Sequence, residues 1–515
     1  MISARYQLGD LEGAVEATVS DLDSDGVARR LFDRDFTLFG AEPTEIANRM
    51  GWFDAPRESL DRWSDLVELG EALIGEVTDL VVMGMGGSSL FPEVLARHFN
   101  GDGRHPRLRV LDSTDPGAIG RVLDETDPAS TMHIAASKSG TTLETRSHLD
   151  LFWERSGDPG RFAVITDAGS ELGDLARERG FRWVFENDPD IGGRFAALSL
   201  FGMVPAAFCG ADGAAMLEAG LDMLEVLEPR DDDATAGVGL WLGATVAEAA
   251  LSGREQLTIV VDPSVASFGL WLEQLVAEST GKHGKGVIPV VGEPVDAIVA
   301  NPERRLIVTI GDVDAPALRR CGAPMVELSL EEPTDLGAHV VLWEFAISVV
   351  GRVLGINPFD QPDVEAAKQA ARDLLGGAAV ADPAEATPEE VFGSIGDDDT
   401  VAVCAFVDPD GLLGAEAQAF RARIAARTGA TTTLGYGPRF LHSTGQLHKG
   451  GPSRIVVVQF EGTDVGVPDV AIPGRPFTFG ELKRAQAAGD LLALKASGHR
   501  AFRLPVATLG DPAVR

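Results

Sequence analysis

From about residue 75 onward, short apolar runs alternate with amphipathic helical stretches, and no other feature restricts the fold as tightly. The first runs, at 80–85, 108–112, 132–136, 162–166 and 183–185, are separated by helical stretches at 89–99, 118–124, 143–155 and 172–179. Nearly continuous apolar strands with helices between them imply a parallel sheet covered on both faces, an α/β architecture. A second series follows, with strands predicted at 257–261, 286–291, 306–310 and 325–328 and helices at 240–251, 267–278 and 340–354. Three more strands are predicted at 400–407, 431–434 and 454–458, with a helix over 415–427. The stretch 376–399, rich in Ala, Gly, Pro, Asp and Glu, reads as a linker, and the first 70 residues read as a helical brace.

In parallel sheets of this kind a ligand sits beyond the carboxyl ends of the strands, near the point where strand order reverses. Two turns fall at such ends. One is Ser137-Lys138-Ser139-Gly140-Thr141-Thr142, between a strand and a helix. A helix N-terminus favours an anion through its unpaired N–H groups and its dipole. Lys138 and the hydroxyls of Ser137, Ser139 and Thr142 add donors suited to a phosphate monoester. The plainer alternative is a polar turn with Ser or Thr as the helix cap. The other turn, Gly84-Met85-Gly86-Gly87-Ser88-Ser89, with Asp112 ending the next strand, shares part of a dinucleotide-binding fingerprint but has serine where the third glycine belongs.

Charge and cysteine usage narrow the partners. With 44 basic and 79 acidic side chains the formal charge is −35, so nucleic acid and anionic membrane surfaces are repelled. An anionic substrate must then be captured by locally placed cations. Cys209, Cys321 and Cys404 are too few and too widely spaced for a disulfide framework or a zinc site. The first residues lack the apolar core of a signal peptide, and no uninterrupted apolar stretch of about 18 residues is long enough to span a bilayer. The expectation is a cytoplasmic protein that needs neither metal nor cofactor.

Four other constellations carry chemistry. Gly192-Gly193-Arg194, predicted to open a long apolar helix over 195–208, permits close backbone approach beside a cation that cannot deprotonate, or is simply a structural turn. Glu278, in Glu278-Ser279-Thr280-Gly281-Lys282 at a helix end, is either a general base or a solvated carboxylate. The run 357–368 presents Gln361 and Lys368 from one helical start, seven positions and about two turns apart. The segment 439–451 holds His442 and His448 among polar residues, where proton transfer is plausible.

Taken in order, these motifs resemble the phosphoglucose isomerase family, built from two sugar-isomerase (SIS) domains. The likeness spans roughly 35–515 and rests on Gly-Met-Gly-Gly-Ser-Ser (84–89), Ser-Lys-Ser-Gly-Thr-Thr-Leu-Glu-Thr (137–145), Ile-Gly-Gly-Arg-Phe (191–195) and Phe-Asp-Gln-x-x-Val-Glu-x-x-Lys (359–368). The stretch 436–451 is similar to the isomerase half of bifunctional transaldolase–phosphoglucose isomerase chains; with about 70 residues before the first strand, transaldolase activity is not expected. The resemblance implies two three-layer αβα SIS domains with parallel sheets, at 71–230 and 231–375, plus a C-terminal α/β segment at 400–515. The helical brace would then cover 1–70 and the linker 376–399.

The same resemblance implies interconversion of glucose 6-phosphate and fructose 6-phosphate through a cis-enediol. Ser137, Lys138, Ser139 and Thr142 would hold the 6-phosphate, with Gly87 and Ser88 near the sugar. Gly193 and Arg194 match a glycine–arginine pair whose arginine stabilises the enediol oxygens. Glu278 matches the catalytic base, and Gln361 and Lys368 match a glutamine and a lysine that assists ring opening. The family is commonly dimeric, which implies a homodimer. A non-catalytic sugar-phosphate regulator and an isomerase acting on mannose 6-phosphate are the alternatives.

Two departures stand out. Asp363 occupies a position where many members carry glycine, and the histidine expected about twenty residues after the base is absent, position 299 being valine. Leu441-His442-Ser443-Thr444-Gly445-Gln446 reproduces the missing motif with one change, far later in the chain. The expectation is that the C-terminal segment folds back and supplies His442, with His448 and His339 as weaker candidates.

Overall fold

The first ordered element is a strand, β1 (Ala4–Gln7), not part of a helical brace, and its side chains alternate between half-buried and exposed. The structure, a computed structural model, describes residues 2–100, 103–229, 237–313, 315–376 and 384–510. Helices do follow β1, among them Glu12–Ser24 and Trp63–Glu71. The four-residue strand escaped the sequence pattern because so short a run carries almost no periodicity.

The first parallel sheet contains β2 (Asp79–Met83), β3 (Arg107–Leu111), β4 (Thr131–Ala136), β5 (Phe162–Asp167) and β6 (Trp183–Asn187), in the order β3-β2-β4-β5-β6. Strand order reverses between β2 and β4, so the crevice at their carboxyl ends is the ligand position this topology favours. The two turns at 84–89 and 137–142 both leave from that crevice. The central strand β4 is buried along its whole length, as expected for a strand covered on both faces.

The second sheet contains β7 (Gln256–Val261), β8 (Ile288–Val291), β9 (Arg305–Ile310) and β10 (Met325–Leu328), parallel to one another, with β1 antiparallel on the β10 edge. The N-terminus thereby covers an edge that would otherwise present unpaired backbone groups. The third sheet contains β11 (Thr400–Phe406), β12 (Thr431–Tyr436), β13 (Ile455–Glu461) and β14 (Arg500–Arg503), all parallel, in the order β12-β11-β13-β14. Strand β14, Arg-Ala-Phe-Arg, is an unpredicted addition whose charged ends masked it. The expected linker is also corrected: it contains the helix Pro388–Ser394, held by a Thr387/Glu390 capping box. Residues 377–383 of that stretch, and the expected boundary at 230/231, lie outside the described residues.

The third sheet is welded to the other two. Ile472, Phe479 and Leu482 enter the apolar cluster of the first sheet, and Ala277 and Ile288 join that of the third. Polar pairs cross the same seams: Lys483 Nζ lies 2.7 Å from Asp115 Oδ2, and Thr114 Oγ1 donates to Gln486 Oε1 at 2.9 Å. Buried pairs of this kind fix register more than they add stability. The helix Leu336–Leu354 is the apolar centre of the second unit. The stretch Pro333–Leu354 is long and apolar enough to cross a membrane, yet 89% of its apolar window is buried inside the fold.

Candidate active site

The turn after β4 sets four hydroxyls, in two separate pairs, as an open hydroxyl ring. Ser137 Oγ and Thr142 Oγ1 are 2.9 Å apart, Ser139 Oγ and Thr141 Oγ1 are 3.0 Å apart, and Gly140 N donates to Ser137 Oγ at 3.2 Å. Gly140 takes φ +72°, and a Cβ there would fall 2.8 Å from Leu172 N, so glycine is required. Lys138 departs from the expectation. Its ammonium turns away from the ring to Asp167 Oδ2 at 2.7 Å and to Pro189 O at 2.6 Å. Burial pushes the Asp167 carboxyl up, an effect that Lys138 opposes.

The glycine turn after β2 acts as a hub rather than a dinucleotide loop. A Cβ on Gly87 would lie 1.8 Å from Gly193 O, and one on Gly86 would lie 2.6 Å from His442 O and 2.9 Å from Gln274 Nε2. These glycines let three other segments touch the turn, with Ser88 buried among them. Asp112, the carboxylate a dinucleotide ribose would need, is engaged by Arg439 in two bonds of 2.7 and 2.8 Å.

Arg194 is buried at the centre of a second cluster. Its Nη2 donates to Phe359 O at 2.9 Å, Asp360 O at 3.1 Å and Gln361 Oε1 at 2.6 Å, and its Nε lies 3.6 Å from Glu278 Oε2. Nη1 is buried without a hydrogen-bond partner among the described residues. The long helix expected over 195–208 is shorter: a single 3-10 turn carries Arg194, and the helix Leu200–Cys209 starts after the Ser199 cap. Gln361 likewise precedes the helix Glu365–Leu375 that carries Lys368, so the two do not share a helical start. Lys282 completes the cluster 2.7 Å from Asp360 Oδ1, its ammonium pushed down to about 8 by burial and by Arg194, against the pull of Asp360.

The C-terminal segment does fold back onto the first sheet. His442 Nε2 sits 2.9 Å from Glu144 Oε1, which also accepts from Gln486 Nε2 at 2.6 Å. Burial alone would push the Glu144 carboxyl up, but His442 reverses this and brings it to about 2. Neither Glu144 nor Gln486 was singled out from the sequence, although Glu144 falls within the quoted 137–145 motif. The other two histidines lie elsewhere. His448 is buried beside Phe440, 3.9 Å from Cys404 Sγ, and His339 is buried against Ser329 O at 2.9 Å.

A cavity of about 680 Å³ joins the hydroxyl turn to the His442–Glu144 pair and Lys368; Ser139, Thr141, Thr142, Glu144, Lys368 and His442 all line it. Arg194, Glu278 and Gln361 stand beside it, not on its wall. The link is Gln274, whose Nε2 donates to Glu278 Oε2 at 3.1 Å and to His442 O at 2.8 Å. Among the described residues no group of three or more His, Cys, Asp or Glu side chains is arranged to hold a metal ion.

A parallel α/β sheet with a hydroxyl ring at its switch point, beside a carboxylate–arginine pair and a histidine–carboxylate pair, defines a protein of the sugar-isomerase fold class. The family model described as phosphoglucose isomerase matches residues 56–288. A glucose-6-phosphate isomerase from Thermus thermophilus is 34% identical over 184 residues, covering 34% of this chain and 43% of that protein. The alignment thus spans less than half the length of that relative. One from Rubrobacter xylanophilus is 28% identical over 422 residues, covering 68% of this chain and 97% of that protein. In structure, a hypothetical protein from Thermus thermophilus aligns with a TM-score of 0.62 and 27% identity, over 73% of this chain and all of that one. A glucose-6-phosphate isomerase from Chlamydia trachomatis aligns with the same TM-score at 19% identity, over 75% and 90% of the two chains. Residues 56–288 are thus similar to the phosphoglucose isomerase family, and the fold is that of sugar-phosphate isomerases. The family match ends at residue 288, so the places of Gln361, Lys368 and His442 rest on the geometry given above.

Proposed function

We propose that this protein interconverts glucose 6-phosphate and fructose 6-phosphate through a cis-enediol. The observation that carries the reading is the buried Nη1 of Arg194, without a partner among the described residues and held beside the Glu278 carboxylate. A guanidinium with an unused donor in a water-poor site stabilises an oxyanion as charge develops on it. A carboxylate next to it is suited to carry a proton between neighbouring carbons. In this reading His442, oriented by Glu144, and Lys368, both on the cavity wall, open the sugar ring. The phosphate takes no part in the bond changes and positions the rest of the substrate. A cytoplasmic location and a homodimer belong to the same proposal, the latter to be read by light scattering.

The test is conversion of fructose 6-phosphate in deuterated water, following product and deuterium at the second carbon. Turnover with exchange is expected, and Glu278→Gln is expected to lower kcat by about 10³-fold with phosphate affinity retained. Binding without turnover would identify a sugar-phosphate sensor instead. Mannose 6-phosphate run alongside measures the breadth of the substrate range.

A further inference from the structure

Among the described residues the hydroxyl ring has no uncommitted cation of its own. Lys138 is spent on Asp167 and Pro189, and the ring hydroxyls pair with one another. A phosphate monoester brings between one and two negative charges at neutral pH, into a chain whose formal charge is already −35. Neutral donors alone would leave that anion in an unfavourable field.

Two guanidinium groups on the same cavity wall are free to meet it. Arg146 follows Thr142 by four residues, which places it one turn further along the same face of the helix Leu143–Ser156. Arg475 lies on the strap between β13 and the helix Phe479–Ala496. Both line the cavity with Ser139, Thr141 and Thr142. Neither side chain has a hydrogen bond or ion pair among the described residues, and Arg146 Nε is buried without a partner.

The strap is firmly placed. Ile472, Phe479 and Leu482 are buried in the cluster that Leu143 and Phe477 border, which holds Arg475 close to the start of the phosphate-cup helix. Of the other cations on that wall, Arg372 is bound to Glu365 at 2.5 Å and Lys449 to Asp490 at 2.5 Å, and Lys368 is the one assigned above to ring opening.

We propose that Arg146 and Arg475 grip the phosphate of the substrate, in place of Lys138, and thereby select phosphorylated over free sugars. This rests on the reading of the cavity as a hexose 6-phosphate site. It also gives the C-terminal segment a second contribution to that site besides His442, since Arg475 comes from the same part of the chain.

The test uses the full chain with Arg146→Gln, Arg475→Gln, the double variant, and Arg484→Gln as a control of equal charge change on an exposed position of the neighbouring helix. Each single variant is expected to raise KM for fructose 6-phosphate, and Ki for inorganic phosphate as competitor, about tenfold, with kcat within about twofold. Lysine at either position is expected to restore most of the loss, and Arg484→Gln to change nothing. If KM and Ki stay within about twofold in the double variant, the proposal is overturned while turnover by the parent leaves the isomerase reading intact. If the parent binds phosphate without turnover and the variants lose that binding, the arginine assignment stands and the isomerase reading fails.

Discussion

Glu144 and His442 are 298 positions apart in the chain and 2.9 Å apart in space, one on the first helix after the hydroxyl ring and the other on the segment after β12. The carboxylate also takes a bond from Gln486 on the C-terminal helix, so its orientation is fixed from two sides. His442→Asn keeps a donor but cannot carry a proton. It is expected to lower kcat on the cyclic substrate by about 10²-fold, while deuterium exchange on the open-chain sugar survives. Glu144→Gln keeps the shape and removes the charge, and a smaller loss of about tenfold is expected. Full activity of His442→Asn on cyclic substrate would remove His442 from the mechanism.

Asp363, the residue that departs from the family pattern, is locked to the relocated histidine segment. Its backbone N–H donates to Gln446 Oε1 at 2.9 Å, and its Oδ2 accepts from Gln446 Nε2 at 2.6 Å. Gln446 is buried and bonds Gly281 O as well, which ties the Gln361–Lys368 run, the end of the Glu278 helix and the His442 segment at one point. A double-mutant cycle on Asp363→Gly and Gln446→Ala is expected to show about 1–3 kcal/mol of coupling. Thermal midpoints of the two single variants and the pair measure it, and simple additivity would mean the two residues act independently.

Two glycines that face each other should respond in opposite ways to a single methyl group. A Cβ on Gly87 would overlap the carbonyl oxygen of Gly193 at 1.8 Å, and backbone on both sides leaves nothing to yield. A Cβ on Gly193 meets no atom within 4 Å. Gly87→Ala is therefore expected to cost about 3 kcal/mol or more, and Gly193→Ala to leave the thermal midpoint close to that of the parent. Equal midpoints for the two variants would show that the turns do not pack this closely.

The parts of the fold that sequence made legible are those whose signal is local. Alternating strands and helices announced the parallel sheets, and the hydroxyl ring could be read from six consecutive residues. What escaped depends on distant partners. The direction of Lys138 is decided by Asp167, which lies on β5, 29 positions away, and the importance of Glu144 by His442 and Gln486. Strands β1 and β14 have four residues each and mix charge with apolar positions, too little for a period to show. Gln361 was placed on a helix because its spacing to Lys368 fits two turns, but the preceding loop is held open by Arg194 instead.

Buried neutral histidines set the behaviour in mild acid. Burial pushes His133, His148 and His339 down to about 4 and His448 to about 3. Unfolded, a histidine binds its proton near 6.5. Between about 6.5 and 4 the unfolded chain therefore holds more protons than the folded one, and stability falls as pH falls. Glu273 and Glu344 work the other way: burial raises the Glu273 carboxyl to about 7 and pushes that of Glu344 well up, so the folded state holds their extra protons above about 4.5. Four histidines against these two carboxyls leave the histidines in control, each adding up to about 1.4 kcal/mol per pH unit where its proton uptake differs fully. His339→Gln, which can still donate to Ser329 O, and His133→Phe, which keeps a ring stacked 4.9 Å from Phe162, should each make the acid limb shallower. Thermal midpoints recorded from pH 7 to 4 measure that slope, and a limb as steep in both variants as in the parent would assign acid sensitivity to other groups.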